Sequence, residues 1–239
     1  MLGFCLSIQA HAETEGQTFR SSVQPLSAEM QEKMVNISWK PNCPASRGDL
    51  VAITMTYWGF DDQSHEGALV IHKVLADEVV DIFREIYALR FPIKEMAPYE
   101  IYGVNEYANH NATVGYYCRP AQDKPSDFST HSYGLAIDIN PMINPFHDKK
   151  LGWWPTGSAQ YHKRRTGEKG AIDLRGPVFE IFTKHGWVWG GTWQDDLDYM
   201  HFEKGIIGTR DRPLNENYFA KELQFGLPLN LQNPMAKPE

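Results

Sequence analysis

Two short stretches of this chain hold residues of the kinds that bind a metal and move a proton: Ser129-Thr130-His131-Ser132-Tyr133-Gly134-Leu135-Ala136-Ile137-Asp138 and Asp198-Tyr199-Met200-His201-Phe202-Glu203. His131 and His201 offer imidazole nitrogens, and Asp138 and Asp198 offer carboxylates. A catalytic zinc takes three such protein ligands and keeps its fourth tetrahedral position open for water, which leaves one carboxylate to act as a base. His131 and Asp138 are seven residues apart, an odd separation that sets them on opposite faces of an unbroken strand. The chain must therefore turn between them. Gly134 is the expected pivot, and residues 135–139 then read as a strand with Asp138 facing the site, ended by Asn140-Pro141. Asp198 and His201 are three apart, so a turn over 195–198 entering a strand at 200–202 would let His201 bind the metal while Asp198 stands over its open position.

Each stretch alone has an ordinary explanation. A histidine among apolar residues is commonly a packed core residue, and an aspartate beside a turn commonly shapes that turn. The two together form a far more specific pattern. The helical zinc-protease signature His-Glu-x-x-His is absent, which excludes that scaffold. A structural zinc site is disfavoured because it would need a fourth ligand.

The first stretch has the form Ser-x-His-x-x-Gly-x-Ala-x-Asp and the second Asp-x-x-His-Phe. In these blocks the chain resembles the VanY-like zinc D-alanyl-D-alanine carboxypeptidases and their relatives, the L-alanyl-D-glutamate endopeptidases of phage lysins. The resemblance extends to Asn140-Pro141, to Gly186-Trp187-Val188-Trp189-Gly190-Gly191 and to Tyr117-Cys118-Arg119-Pro120, covering residues 25–205. It implies one zinc ion held by His131, Asp138 and His201, with Asp198 as catalytic acid/base. It also implies Arg119 as the cation that meets the substrate or oxyanion, and peptidoglycan stem peptides as substrate. Asp rather than Glu at position 198 is closer to the endopeptidase and secreted branches, so the bond cleaved stays open between the two activities. The Hedgehog signalling domain, similar in fold, holds a zinc without known peptidase activity; a non-catalytic binding domain is therefore an alternative, against which the intact Asp198 weighs. Ser129 could bond to substrate or to a ligand carboxylate, or merely belong to a turn that positions His131. Trp193, following two glycines, is a candidate for the groove wall, whereas Trp187 and Trp189 read as core. His147, His162 and His185 lack a partner at ligand spacing.

Around these residues the periodicity predicts an α+β fold: a single domain with a central antiparallel sheet flanked by helices, Hedgehog/DD-peptidase-like by resemblance. Ser27 can cap a short helix carrying Met30, Met34 and Ile37. Residues 50–58 read as a strand, with a turn at Asp61-Asp62 and a hairpin partner over 67–74. Residues 75–90 place Val79, Ile82, Phe83, Ile86 and Leu89 on one helical face. Phe91-Pro92-Ile93 is a strand at most, and residues 107–115 read as a loop over the cleft. Residues 144–170 read as a long loop forming one wall of the groove, 177–185 as a helix, and 187–189 as a strand.

The length of 239 residues suits one core with decorations, here a peptidase domain over 25–225 and a C-terminal extension over 226–239. A net charge of −7 argues against nucleic acid as a partner, and the basic run 162–165 reads as a solvated loop or as a surface that meets anionic cell-wall polymer. No apolar run is long enough to span a bilayer. Residues 1–12 have the apolar run and the Ala10-His11-Ala12 ending of an export signal without its basic start, which points to the periplasm or the extracellular cell wall. Removal of Cys5 with that signal would leave Cys43 and Cys118, an even pair that predicts one disulfide.

Overall fold

The computed structural model describes residues 18–122, 125–164, 167–193 and 196–205. The expected signal peptide at 1–12 and the extension at 226–239 lie outside the described residues. Among the described residues no helix is long and apolar enough to cross a membrane.

The structure is mixed α and β, compatible with the α+β expectation. Among the described residues the strands do not gather in one central sheet but form two three-stranded sheets and two two-stranded ribbons. In the first sheet β2 (Leu50–Trp58) lies between β1 (Ser21–Pro25) and β3 (Ser64–His72), antiparallel to both. The β-branched and aromatic run of β2 matches the sequence expectation end to end. β1 has no comparable apolar pattern, being exposed along its length, and tertiary pairing alone makes it a strand.

Helix α1 (Ala28–Met34) begins at Ser27, whose hydroxyl accepts from Met30 N at 3.1 Å, the expected cap. It stops before Ile37, which is exposed. Helix α2 (Ala76–Ala88) buries Val79, Ile82, Phe83 and Ile86 against the first sheet and against α4 (Pro177–Lys184), while Leu89, placed on that face by periodicity, lies past the helix end and is 49% exposed. Proline at the first position of α4 loses no hydrogen bond there.

Three sequence expectations are corrected between these elements. Residues 107–115 are no loop over the cleft: Ala108, Ala112 and Val114 are fully buried, β5 (Ala112–Thr113) pairs with β4 (Glu95–Met96), and a helical turn α3 (Tyr99–Tyr102) packs beside them. Apolar residues too sparse to show a period are packed here by distant neighbours. Residues 144–170 contain an antiparallel hairpin, β7 (Phe146–Asp148) and β8 (Gly152–Trp154). Within the basic run, Arg164 is not solvated. Its side chain is 14% exposed and donates to Ile143 O and Asn144 Oδ1 at 2.9 Å and to Ile172 O, while its guanidinium stacks 4.6 Å from the Tyr199 ring. Buried carbonyls need donors, and this arginine supplies them from a segment whose sequence looks like surface.

The second sheet carries the site. Its central strand β10 (His201–Glu203) lies between β6 (Ala136–Asp138) and β9 (Val188–Trp189), antiparallel to both. Asn140 ends β6 in a left-handed conformation (φ 46°), with its buried amide donating to Pro92 O and Gly170 O and accepting from Lys94 N. Trp187 and Trp189 are core, as expected, and Phe182 stacks on Phe202 at 3.9 Å between ring centroids.

Candidate metal centre

Strand register brings the two blocks together. His201 sits directly opposite Asp138 in the β6–β10 ladder. Facing residues of an antiparallel pair have their Cβ atoms about 4.5–5.5 Å apart, close enough for their side chains to meet. Alternation sends Phe202 and Ile137 to the core on the other face. His131 reaches the same point from a 3-10 turn over Thr130–Tyr133, and Gly134 closes that turn in the left-handed region at φ 70°. A Cβ there would lie 2.6 Å from His72 N, so the expected pivot is required by both angle and space.

The result is a buried trio. His131 Nε2, Asp138 Oδ1 and His201 Nδ1 lie 3.0–3.1 Å from one another, on residues no more than 4% exposed. His131 Nδ1 is 2.6 Å from Gly115 O, which can only accept, so the proton of that ring is on Nδ1 and Nε2 turns a lone pair inward. His201 Nε2 lies 3.2 Å from Glu203 Oε2, so its Nδ1 can likewise turn inward. Three electron-rich atoms at this spacing repel unless a cation is shared among them. Ligand atoms at zinc distances in a tetrahedron would be about 3.3 Å apart, and two nitrogens with one oxygen are a usual donor set, so these residues fit a zinc ion.

The charges agree with that fit. Burial would raise the Asp138 carboxyl, but the His131 and His201 imidazoles outweigh it and hold the carboxyl well below the usual range. Burial would lower His201, yet its bonds to Asp138 and Glu203 raise it to about 10. A trio without a metal thus keeps a proton as its shared cation, and a divalent ion would replace it.

Asp198 is carried beside this trio by close backbone packing. Its N–H donates to Gly190 O at 3.1 Å, and a Cβ on Gly190 would lie 2.6 Å from Asp198 O, which is why the Gly190-Gly191 turn tolerates no side chain at its first position. On the other side Phe146 of β7 bridges to Asp198, and His147 N donates to Leu197 O. The hairpin missed by sequence reading is therefore what braces this residue. Asp198 Oδ1 is enclosed with no hydrogen-bond partner among the described residues. Burial pushes the carboxyl up to about 7, against the opposing pull of His201 and with a further push from Asp138.

The model of a family described as D-alanyl-D-alanine carboxypeptidase matches residues 122–204, the span that holds His131, Asp138, Asp198 and His201. That segment is similar to the VanY-like peptidases. No curated protein and no solved structure gives a significant match to the chain.

Three other predicted residues border the His131–Asp138–His201 trio. Arg119 lies just outside the matched span, fastened by its backbone to the His131 turn: its N–H donates to Ser132 Oγ at 2.9 Å, and its carbonyl accepts from Ser129 N. Its guanidinium makes a long contact with Pro120 O (3.4 Å), and its charge lowers the Asp198 carboxyl and the Tyr99 and Tyr107 phenols against the upward push of their burial. Ser129 caps the turn, its hydroxyl accepting from His131 N at 3.4 Å, which is the structural one of its expected roles. The Trp193 ring lies 5.3 Å from that of His201. Cys43 and Cys118 form the expected disulfide, joining α1's flank to the segment that leads into Arg119.

Tyr99 and Tyr107 were not found by sequence reading. Their rings are 4.6 Å apart, both are buried, and both phenols are raised chiefly by burial and also by the Asp138 charge. Nothing in their spacing from the motif blocks signals this. For Glu203 a signal existed, since residues i and i+2 of a strand share a face with one another and hence with the ligand His201.

Proposed function

We propose that this protein is an exported zinc metallopeptidase that hydrolyses peptide bonds in peptidoglycan stem peptides, as a D-alanyl-D-alanine carboxypeptidase. The observation that carries the reading is the convergence of His131, Asp138 and His201 next to a carboxylate with an enclosed oxygen unpaired among the described residues. In this reading the peptidase domain spans 25–225 with a Hedgehog/DD-peptidase-like architecture, and the disulfide suits an oxidising compartment such as the periplasm or cell wall.

His131, Asp138 and His201 would hold the zinc. Zinc supplies Lewis acidity, polarising the scissile carbonyl and lowering the pKa of a water from about 15.7 toward about 7. Asp198 Oδ1 takes the water's proton and delivers it to the departing amine nitrogen. A base whose pKa lies near the working pH is suited to both transfers. Arg119 offers paired N–H donors to the terminal carboxylate of the stem or to the developing oxyanion. Trp193, against His201, and Ser129 border the groove, with the 144–170 segment as one wall.

The second reading is an L-alanyl-D-glutamate endopeptidase, favoured by Asp rather than Glu at position 198. Mass spectrometry of pentapeptide stems incubated with protein and zinc separates the two. The carboxypeptidase releases one D-alanine and slows sharply when the terminus is amidated, because the charge that Arg119 pairs with is gone; Arg119→Lys suffers similarly. Cleavage after L-alanine at equal rates on free and amidated stems overturns the carboxypeptidase choice. Stems left intact by a protein that retains zinc would favour the non-catalytic domain instead.

A further inference from the structure

We propose that Glu203, held in place by Thr130, is a positioning residue that fixes the His201 ring so that its Nδ1 faces the metal. This rests on the zinc reading above. Glu203 lies on the same face of β10 as His201 and on the far side of the ring from the trio, with its side chain 12% exposed. Its Oε2 is 3.2 Å from His201 Nε2 and accepts from Thr130 Oγ1 at 2.7 Å. The Thr130 hydroxyl proton is thereby committed to Glu203. Toward His201 Nε2, at 3.4 Å, that hydroxyl oxygen can only accept. Both groups facing Nε2 are therefore acceptors, and Nε2 must carry the proton. The lone pair of a neutral ring is then forced onto Nδ1, the atom turned to Asp138 and His131.

Thr130 immediately precedes His131, so one turn sets both rings. His131 is fixed by the Gly115 carbonyl, and His201 by a carboxylate that the same turn holds. A carboxylate on the outer nitrogen of a ligating histidine fixes its tautomer and raises its basicity, and loss of such a partner typically weakens metal binding about 10–100-fold. Glu203 stands outside the Asp-x-x-His-Phe block, and Thr130 occupies a variable position of the first block.

The test measures zinc affinity by competition with a chromogenic chelator at fixed pH. Wild-type protein that binds no zinc would refute the metal reading itself. With wild-type binding established, Glu203→Ala should bind about 10–100-fold more weakly, while Glu203→Gln, whose amide oxygen still accepts from Nε2, should stay within a few-fold of wild type. Nitrogen-15 NMR of the zinc-loaded proteins should show a slowly exchanging His201 Nε2 proton in wild type and Glu203→Gln and its loss to solvent in Glu203→Ala. Should the alanine variant not fold, the isosteric Thr130→Val decides through a several-fold weakening. Unchanged affinity in Glu203→Ala, or in Thr130→Val where that variant decides, overturns the inference, as does Glu203→Gln binding as weakly as Glu203→Ala.

Discussion

Replacing Asp198 with asparagine should separate chemistry from metal binding and, at the same time, stabilise the fold. The carboxyl ordinarily titrates at 3.8 and is raised to about 7 in the folded protein, chiefly by burial. The folded state therefore holds the proton more tightly than the unfolded state. Near pH 4 the folded group is protonated and the unfolded one about half so, and the group costs little. As pH rises the unfolded chain loses the proton first, so stability falls between about pH 4 and 7 and the full cost is present above that. Three pH units correspond to about 4 kcal/mol, and water reaching the half-buried residue reduces this to about 2–4 kcal/mol. An asparagine side chain never ionises. Denaturant unfolding of chelator-treated protein should thus find Asp198→Asn more stable by that amount at pH 8 and equal to wild type near pH 4. The variant should keep a full equivalent of zinc, because Asp198 is not among the three converging ligands, yet lose about 10²–10⁴ in turnover, the usual contribution of a general acid/base. The wild-type kcat/KM should rise with pH as this base deprotonates, through about 7 or lower once a divalent cation stands nearby. Equal stability at both pH values would refute the desolvation of the carboxyl, and turnover near wild type would assign the base elsewhere.

Two further outcomes follow from the surrounding framework. Opening the Cys43–Cys118 disulfide, which closes a 75-residue separation, should destabilise by about 4 kcal/mol in the chain-entropy model; unfolding of the Cys43→Ser/Cys118→Ser variant against oxidised wild type tests it, and a difference below about 1 kcal/mol would refute it. Arg164→Met removes donors to Ile143 O, Asn144 Oδ1 and Ile172 O and should cost about 2–4 kcal/mol, seen as a Tm lower by about 5–15 °C; an unchanged Tm would show that water serves those carbonyls as well.

The sequence alone determined the parts that depend on local chemistry. Residue type and spacing singled out His131, Asp138, Asp198 and His201 as candidates, because few arrangements of two imidazoles and two carboxylates in such blocks have another use. The turn at Gly134, the cap at Ser27 and the strand over Leu50–Trp58 were legible because each rests on backbone preference or a short apolar period. Tertiary structure decided the rest. The facing of His201 and Asp138 is a strand register between segments 63 residues apart, and the brace behind Asp198 is a hairpin in a segment whose composition reads as loop. The burial of Arg164 and the two tyrosines beside the site come from packing against distant chain. Local sequence reports what a residue can do; which carbonyl needs Arg164, and which imidazole Glu203 faces, is set by neighbours that only the folded chain supplies.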